Sequence, residues 1–382
     1  MTKRLYLLMA TVMVVLMSEL QVAGMMSAIA EDLGSTIGRV GLLVSLYSLG
    51  MALGGPSLAL ALRRVPPKPA LLGVIGGYAV LEAMVPLVQE LWWVTLLRVL
   101  TGCLSGAAFG LSVSFGAQLA ESPSRIGEAV SIVLGGIMVG TVVGLPLSHW
   151  IAGTLGWQAS FFVMAAAAAS LLLVCAFALP RREAAGREDS ARDLMNLWSP
   201  RLWSRYLVSL LTIGGAFGAF SYFTPLLEQR TGLSRDATTL VLLAYGAVSF
   251  LGNLIVGKLA DRHAVAVLRV GHGLLIVALA LIALLVTEVW LVVAMVLVVG
   301  LAGVTMNPAL VTRVAEVGGT GNLVSTVHTS VITVGLSLGT AASAWVMGGL
   351  GDDPVIAMWT GALLAGLAAV ALALQQRSRS SV

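Results

Sequence analysis

Charged residues are scarce in this sequence: only 10% of its 382 residues are Asp, Glu, Lys or Arg, whereas 58% are hydrophobic. A soluble globular domain carries roughly a quarter charged residues. A water-soluble fold of this composition would expose far too much apolar surface. The scarcity of charge therefore excludes an ordinary soluble domain and indicates a protein embedded in a lipid bilayer.

Cysteine is nearly absent too, and the motifs of several enzyme classes are missing. Cys103 and Cys175, the two cysteines, fall inside apolar runs, so the sequence predicts neither a disulfide framework nor a metal site. We find no H-E-x-x-H or G-x-x-x-x-G-K-[ST] pattern, so a metalloprotease and an ATP-driven pump lack their residues. Residues 335–339 match G-x-S-x-G, but they lie within a long apolar run and not at a strand-to-helix turn, so they do not indicate a hydrolase. The sequence therefore predicts a protein that is not an enzyme and uses no cofactor.

Long apolar runs are abundant by contrast. About 20 consecutive apolar residues cross the hydrocarbon core as a helix, and the chain holds twelve such runs separated by polar loops. The first run is too long for a signal peptide and contains Glu19, so we interpret it as a retained span. We therefore predict an all-α membrane protein with spans at 5–29, 37–62, 69–88, 91–119, 128–152, 158–179, 203–226, 237–259, 265–286, 289–311, 321–347 and 354–375.

The distribution of Lys and Arg predicts the orientation of these spans. With the N-terminus placed inside, eighteen of the 22 Lys and Arg residues fall in inner segments, three in outer segments and one, Arg98, within a span. Positive charge is retained on the cytoplasmic side, so both termini are predicted to be cytoplasmic. This topology also accounts for the net charge of +4 without nucleic acid as a partner. Short loops and a compact chain favour a bacterial inner membrane.

The two halves of the chain repeat each other at an offset of about 198 residues. Glu90 then aligns with Glu288 and Trp92 with Trp290, and matches at Glu and Trp are harder to obtain by chance than matches at Gly or Leu. Six spans per half make the halves parallel repeats, with a substrate site expected between them near the midplane. We predict two pseudo-symmetric six-helix bundles at 1–180 and 203–382, joined by a cytoplasmic linker at 181–202.

Residues 257–262, Gly-Lys-Leu-Ala-Asp-Arg, resemble the G-x-L-A-D-R loop signature of the major facilitator superfamily. The resemblance implies a gating role for Gly257, Asp261 and Arg262. The corresponding segment of the first half, 59–64, is degenerate, with Arg63 where the acid would stand. The resemblance extends over nearly the whole chain and implies the major facilitator fold.

Two further segments resemble motifs of the same superfamily. Residues 97–102 resemble its second motif, in which a buried arginine takes part in proton coupling, and this implies such a role for Arg98. Residues 144–147, Gly-Leu-Pro-Leu, resemble the glycine–proline motif of antiporters, which implies a gating role for Gly144 and Pro146.

The drug and sugar efflux branch, of the arabinose-efflux and chloramphenicol-resistance type, is more similar still. Ser18 and Glu19 resemble its first-span signature, and residues 222–227 and 306–310 resemble its seventh and tenth spans. The resemblance implies a monomeric, proton-coupled exporter of small, partly apolar molecules that works by alternating access. An uptake symporter or uniporter for sugars, nucleosides or similar solutes is the alternative.

Ionisable residues within the spans are the candidates for proton coupling. An ionised acid at the bilayer centre costs roughly 2.5–3.5 kcal/mol on insertion scales, so Glu19 is predicted to be a reversible proton carrier. Arg98 needs an acid or carbonyl partner, and Glu19 is a candidate. Glu82 either joins the coupling or, since third spans are peripheral in the family, reaches toward the outer interface.

A few polar side chains could supply the contacts of an otherwise apolar substrate cavity. Each is a weak signal, because tyrosine and asparagine also serve packing and an intramembrane histidine is often an interhelical hydrogen-bond donor. A methionine would adapt such a cavity to varied ligands. The predicted cavity residues are Tyr47, Tyr222, Tyr245, Asn307, His328 and Met26.

Overall fold

A computed structural model describes residues 2–122, 125–182, 199–319 and 322–380. Within these ranges every regular element is a helix. Twelve segments are long and apolar enough to cross a membrane. The prediction of an all-α protein with twelve spans is therefore confirmed. Most of the predicted linker, residues 183–198, lies outside the described residues.

The first six spans come from six long helices. The first helix ends at Gly24 and is followed, after a turn at Met25, by a short second helix. Single turns of tighter helix at Leu62–Arg64 and Val85–Leu87 extend the second and third spans. The helices are Thr2–Gly24, Met26–Asp32, Ile37–Ala61, Pro67–Met84, Leu91–Gln118, Ile126–Leu155 and Trp157–Ala178.

The last six spans are less regular. The seventh continues beyond its helix through turns at Phe223–Pro225 and Leu226–Arg230, and the tenth is interrupted at Val304–Met306. The eighth and ninth spans share one element, whose backbone leaves helical geometry at His263, with φ −134° and ψ 33°. The helices are Pro200–Phe220, Arg235–Leu284, Val289–Ala302, Asn307–Gly318, Asn322–Gly349 and Val355–Ser380.

The chain divides into two compact units. The N-terminal unit comprises Met1–Ser35 and Leu46–Arg187, and the C-terminal unit comprises Thr36–Ser45 and Glu188–Val382. Buried apolar residues from five spans form the core of the N-terminal unit; they include Leu8, Ile75, Phe115, Val133 and Cys175. Burial of apolar side chains cannot drive helix association within lipid tails, so close packing and polar contacts hold the spans together.

Residues 36–45 belong to the C-terminal unit and form hydrogen bonds within it. The first N–H groups of a helix lack partners within it. At the start of the helix Ile37–Ala61, the carboxylate of Asp352 accepts the N–H groups of Ile37 and Gly38 at 2.6 and 2.8 Å. Two turns further on, Ser45 Oγ donates to the carbonyl oxygen of Ser337 at 2.8 Å.

Glycines bring the seventh and eleventh spans into direct backbone contact. A Cβ atom placed on Gly339 would lie 2.6 Å from both the Cα and the carbonyl carbon of Gly214, and one placed on Gly335 would lie 3.0 Å from the Cα of Leu210. Small residues permit this approach within a membrane. Beside the contact, Ser343 Oγ donates to the carbonyl oxygen of Gly218 at 2.8 Å.

Candidate functional site

Arg98 is the centre of a buried polar network in the N-terminal unit. Its side chain is fully buried, and its two Nη atoms donate to the hydroxyl and carbonyl oxygens of Ser18 at 3.0 and 2.9 Å. Nη1 lies 3.5 Å from Oε1 of Glu82. The guanidinium carbon lies 3.9 Å from the centroid of the Tyr47 ring, a cation–π contact. The fourth span is thus tied through Arg98 to the first three.

Glu82 is also fully buried and belongs to this network. It accepts hydrogen bonds from Ser18 Oγ and from Gln21 Nε2, the latter at 3.3 Å to Oε2. The alternative that Glu82 reaches the outer interface is wrong. On the third span, Ile75, Tyr78 and Glu82 follow one another at helical spacing and are all buried, so the face that carries the acid points into the unit.

Glu19 lies in a different setting, although it is only 4% exposed. Ser48 Oγ donates to its Oε1 at 2.9 Å, and the carboxylate makes no ion pair with any described residue. The pairing of Glu19 with Arg98 that the sequence suggested is therefore replaced by Glu82 with Arg98. Consecutive residues of a helix point about 100° apart, so Ser18 meets the arginine while Glu19 faces the second span.

Tyr47 and Gln21 extend the network to further spans. The Tyr47 hydroxyl lies 2.5 Å from Ser105 Oγ of the fourth span and donates to the carbonyl oxygen of Val15 at 3.2 Å. Ser160 Oγ of the sixth span donates to Oε1 of Gln21 at 3.1 Å. Five of the six spans of the N-terminal unit therefore contribute to one polar cluster. Met26, predicted for the cavity, is fully buried at the start of the short helix Met26–Asp32.

Two predicted cavity tyrosines, both buried, make contacts within the C-terminal unit. The Tyr222 hydroxyl donates to the carbonyl oxygen of Thr340 at 3.1 Å. The Tyr245 ring stacks on Phe220 at a centroid distance of 4.8 Å and meets the edge of Phe223 at 5.8 Å. Tyr222 thus joins the seventh span to the eleventh, and Tyr245 joins the eighth to the seventh.

His328 and Asn307 are held differently. Nε2 of His328 lies 2.8 Å from Ser209 Oγ, and the imidazole stacks on Tyr206 at a centroid distance of 5.8 Å. Oδ1 of Asn307 is buried and has no hydrogen-bond partner among the described residues. Because a buried unsatisfied acceptor is unfavourable, Asn307 retains its capacity to bind a ligand donor. A cavity role for these residues stays a prediction.

The predicted gating residues of the G-x-L-A-D-R segment lie at the break between the eighth and ninth spans. Arg262 is exposed, and a Cβ atom placed on Gly257 would meet no atom within 4 Å. The side chain of Asp261 lies outside the described ones. The segment immediately precedes His263, where the helix leaves regular geometry.

Gly144 and Pro146 lie in the fifth span. A Cβ atom on Gly144 would lie 3.0 Å from the Cα of Met17, so this glycine permits close packing of the first and fifth spans. Pro146 is buried inside the helix Ile126–Leu155. The gating role of both residues stays a prediction.

Sequence reasoning noted Ser18 only as part of the first-span resemblance and missed Gln21. Ser18 and Gln21 are three residues apart, so they share a helix face, and this spacing within an apolar span was a usable signal. No sequence signal singled out Ser48, and the sequence assigned no role to His272 of the C-terminal unit. The structure buries His272 completely and places its Nε2 2.8 Å from Thr212 Oγ1.

Twelve spans with a charged network buried among them define a polytopic membrane protein of the transporter type. A family model described as Major Facilitator Superfamily matches residues 7–340. The chain therefore belongs to the major facilitator superfamily, and the predicted resemblance is confirmed.

Several curated relatives align over most of the chain. A "Chloramphenicol resistance protein" of Streptomyces lividans is 29% identical over 353 residues, covering 90% of this chain and 89% of that protein. The "Inner membrane transport protein YdhP" of Escherichia coli K12 is 28% identical over 364 residues, covering 95% and 93%. The "Putative transporter AraJ" of the same strain is 25% identical over 247 residues, covering 65% and 62%. These similarities are consistent with the drug and arabinose efflux branch.

A solved structure shares the fold. It is described as a bacterial homologue of the human lysosomal transporter Spinster, in an inward-facing and occupied conformation. The TM-score is 0.75 at 17% sequence identity, with 98% of this chain and 97% of that chain covered. At this identity the similarity establishes the major facilitator fold alone.

Proposed function

We propose that this protein is a proton-coupled secondary transporter that exports small, partly apolar molecules. The observation that carries the proposal is the setting of Glu19, a buried acid in the first span whose carboxylate has one neutral hydrogen-bond donor, Ser48, and no ion-pair partner among the described residues. Ionisable residues inside a membrane are retained mainly where they serve transport or proton relay.

The two buried acids have different roles in this proposal. Glu82 has Arg98 as its counter-ion and accepts from Ser18 and Gln21, so its charge is compensated in place. Glu19 lacks such compensation, and its proton occupancy therefore responds to the access of water. Glu19 takes up and releases the transported proton, while the pair of Glu82 and Arg98 provides a fixed field beside it.

Three features support the export of drug-like molecules. The first and fifth spans carry motifs that resemble those of efflux antiporters. A relative that matches 90% of the chain is named a chloramphenicol resistance protein. The arginine and lysine distribution predicts cytoplasmic termini, and we infer a transporter of a bacterial inner membrane that works as a monomer. Protons entering the cell would then drive the substrate outward.

Replacement of Glu19 by glutamine should abolish coupled proton movement, because the amide keeps the shape of the side chain but cannot exchange a proton. The measurement uses proteoliposomes with an imposed pH gradient and chloramphenicol as the first probe, followed by a panel of drugs, sugars and nucleosides. In the wild type, the substrate should dissipate the gradient; in Glu19→Gln, dissipation should fall to the level of protein-free liposomes.

The matched control is Glu121→Gln, which removes an exposed acid that pairs with Arg125 and should leave coupling unchanged. Exchange of labelled substrate without a gradient should persist in Glu19→Gln, since binding does not need the proton. If substrates cross equally well with and without a gradient, and Glu19→Gln behaves like the wild type, the exporter mechanism is wrong and a facilitator is the better interpretation.

A further inference from the structure

Two buried arginines meet at one end of the C-terminal unit. Arg205 of the seventh span is 6% exposed and Arg313 of the tenth span is 3% exposed. Both donate to the same atom, Oε1 of Gln375 in the twelfth span, from Nη1 of Arg205 and from Nη2 of Arg313, the latter at 3.0 Å. Two guanidinium groups therefore converge on one uncharged oxygen.

The neutral amide does not compensate the charge of Arg313. This side chain makes no ion pair with any described residue, and its Nε and Nη1 atoms are buried without a hydrogen-bond acceptor. A buried charge without a counter-ion is strongly unfavourable. Arg313 thus brings two donors and a positive charge that no described residue satisfies.

The donors line a narrow cleft that is suited to an oxyanion. The two arginines, Gln375 and Ser209 line it together with apolar side chains, and the amide of Gln375 fills the position between the two guanidinium groups. Guanidinium groups present forked donors that match the oxygens of a phosphate group. The oxygen of Gln375 lies where one oxygen of such an anion would accept from both arginines at once.

We propose that Arg205 and Arg313 form a binding site for a phosphate group, supplied by an anionic phospholipid or by a free phosphate, which displaces the amide of Gln375. The end of the unit on which they lie also carries exposed Arg201, and the charge distribution predicts that it faces the cytoplasm. Anionic lipids attract basic segments at that surface. The site is separate from Glu19 and does not depend on the proposed transport mechanism.

The test uses the purified full chain in nanodiscs of phosphatidylcholine. Its thermal unfolding is measured while phosphatidylglycerol is added to the nanodisc in one arm and inorganic phosphate to the buffer in the other. A ligand that binds only the folded state raises the unfolding temperature. An increase in the first arm alone identifies the phospholipid, and an increase with inorganic phosphate identifies a soluble anion. An increase in neither arm overturns the proposal.

Three variants separate binding from general stability. Arg313→Gln should need about ten times more ligand, or still more, for the same rise in unfolding temperature, because it removes the charge-assisted donors. Gln375→Glu supplies an internal carboxylate, so it should unfold at a higher temperature in phosphatidylcholine and no longer respond. Arg269→Gln removes an exposed arginine that bonds to Gln376 and should respond like the wild type.

Two patterns of response among these variants would contradict the proposed site. Equal responses of Arg313→Gln and the wild type would overturn it, and so would an equal loss of response in Arg269→Gln and Arg313→Gln. If Arg313→Gln does not fold, the unfolding temperature of Gln375→Glu and its response to ligand test the proposal on their own. Destabilisation of Gln375→Glu in phosphatidylcholine would contradict a site that requires an anion.

Discussion

Replacing Arg98 with leucine should lower the free energy of unfolding by about 3–5 kcal/mol, because it leaves the Glu82 carboxylate buried without its counter-ion. The substitution also removes both hydrogen bonds to Ser18 and the cation–π contact with Tyr47. The effect should appear as a lower midpoint of denaturant unfolding in detergent micelles, followed by the loss of helical circular dichroism.

Removal of both charges should be less damaging than removal of Arg98 alone. In the double variant Arg98→Leu with Glu82→Gln, no uncompensated charge remains at either of these two positions, and the amide can still bond to Ser18 and Gln21. A double-mutant cycle built from Arg98→Leu, Glu82→Gln and the double variant gives the interaction energy directly. We expect strong coupling, with part of the stability lost in Arg98→Leu recovered.

The matched control for this cycle is Arg125→Leu. Arg125 pairs with Glu121 and Glu128, but its side chain is 49% exposed, so the substitution should change stability by less than about 1 kcal/mol. If Arg98→Leu is no more damaging than Arg125→Leu, or if Glu82→Gln recovers nothing, Arg98 and Glu82 do not form the energetic centre of the N-terminal unit.

Hydrophobicity alone predicted the number of spans, because a membrane requires long apolar helices whatever their neighbours are. It did not predict where the helices break. The first span was expected to run through residue 29, yet its helix ends at Gly24, and no proline in the segment gives a local signal for that end. The eighth and ninth spans share one element with a break at His263, since a loop and a kinked helix look alike in hydropathy.

The candidate site was predictable in its composition but not in its pairing. The sequence singled out Glu19, Glu82 and Arg98 because charge is rare within apolar spans. Which acid meets the arginine depends on the rotation of each helix about its own axis, and a rotation of about 100° exchanges Ser18 for Glu19. That rotation is set by packing between spans, which hydropathy does not report. Glu82 therefore was the less obvious candidate although it is the partner of Arg98.

The network explains how two neighbouring residues of the first span can have different roles, one structural and one in proton transfer. Ser18 is fixed by Arg98 and by Glu82, whereas the next residue, Glu19, is hydrogen-bonded among the described side chains only to Ser48. A proton carrier must change its charge without dismantling the fold. Separation of the structural ion pair from the exchangeable acid allows this, because protonation of Glu19 breaks no ion pair. The network is consistent with the function that we propose.

Replacing Gly339 with leucine should prevent the C-terminal unit from packing, because the added side chain would occupy the space of the seventh span. Even the Cβ of alanine would lie 2.6 Å from backbone atoms of Gly214, closer than such atoms approach in proteins. Gly339→Ala must therefore move the two helices apart and weaken the bond between Ser343 and Gly218, at about 1–3 kcal/mol. Thermal unfolding in detergent and the yield of monodisperse protein measure both effects.

The same helix offers a control for this prediction in Gly348. A Cβ atom placed there meets no atom within 4 Å. Alanine has the higher helix propensity, by about 1 kcal/mol in a helix interior and less near the end of one. Gly348→Ala should therefore be neutral or slightly stabilising, while Gly339→Ala is destabilising. Equal stability of the two variants would show that the seventh and eleventh spans tolerate a wider separation, and that direct backbone contact at Gly214 is not what holds them together.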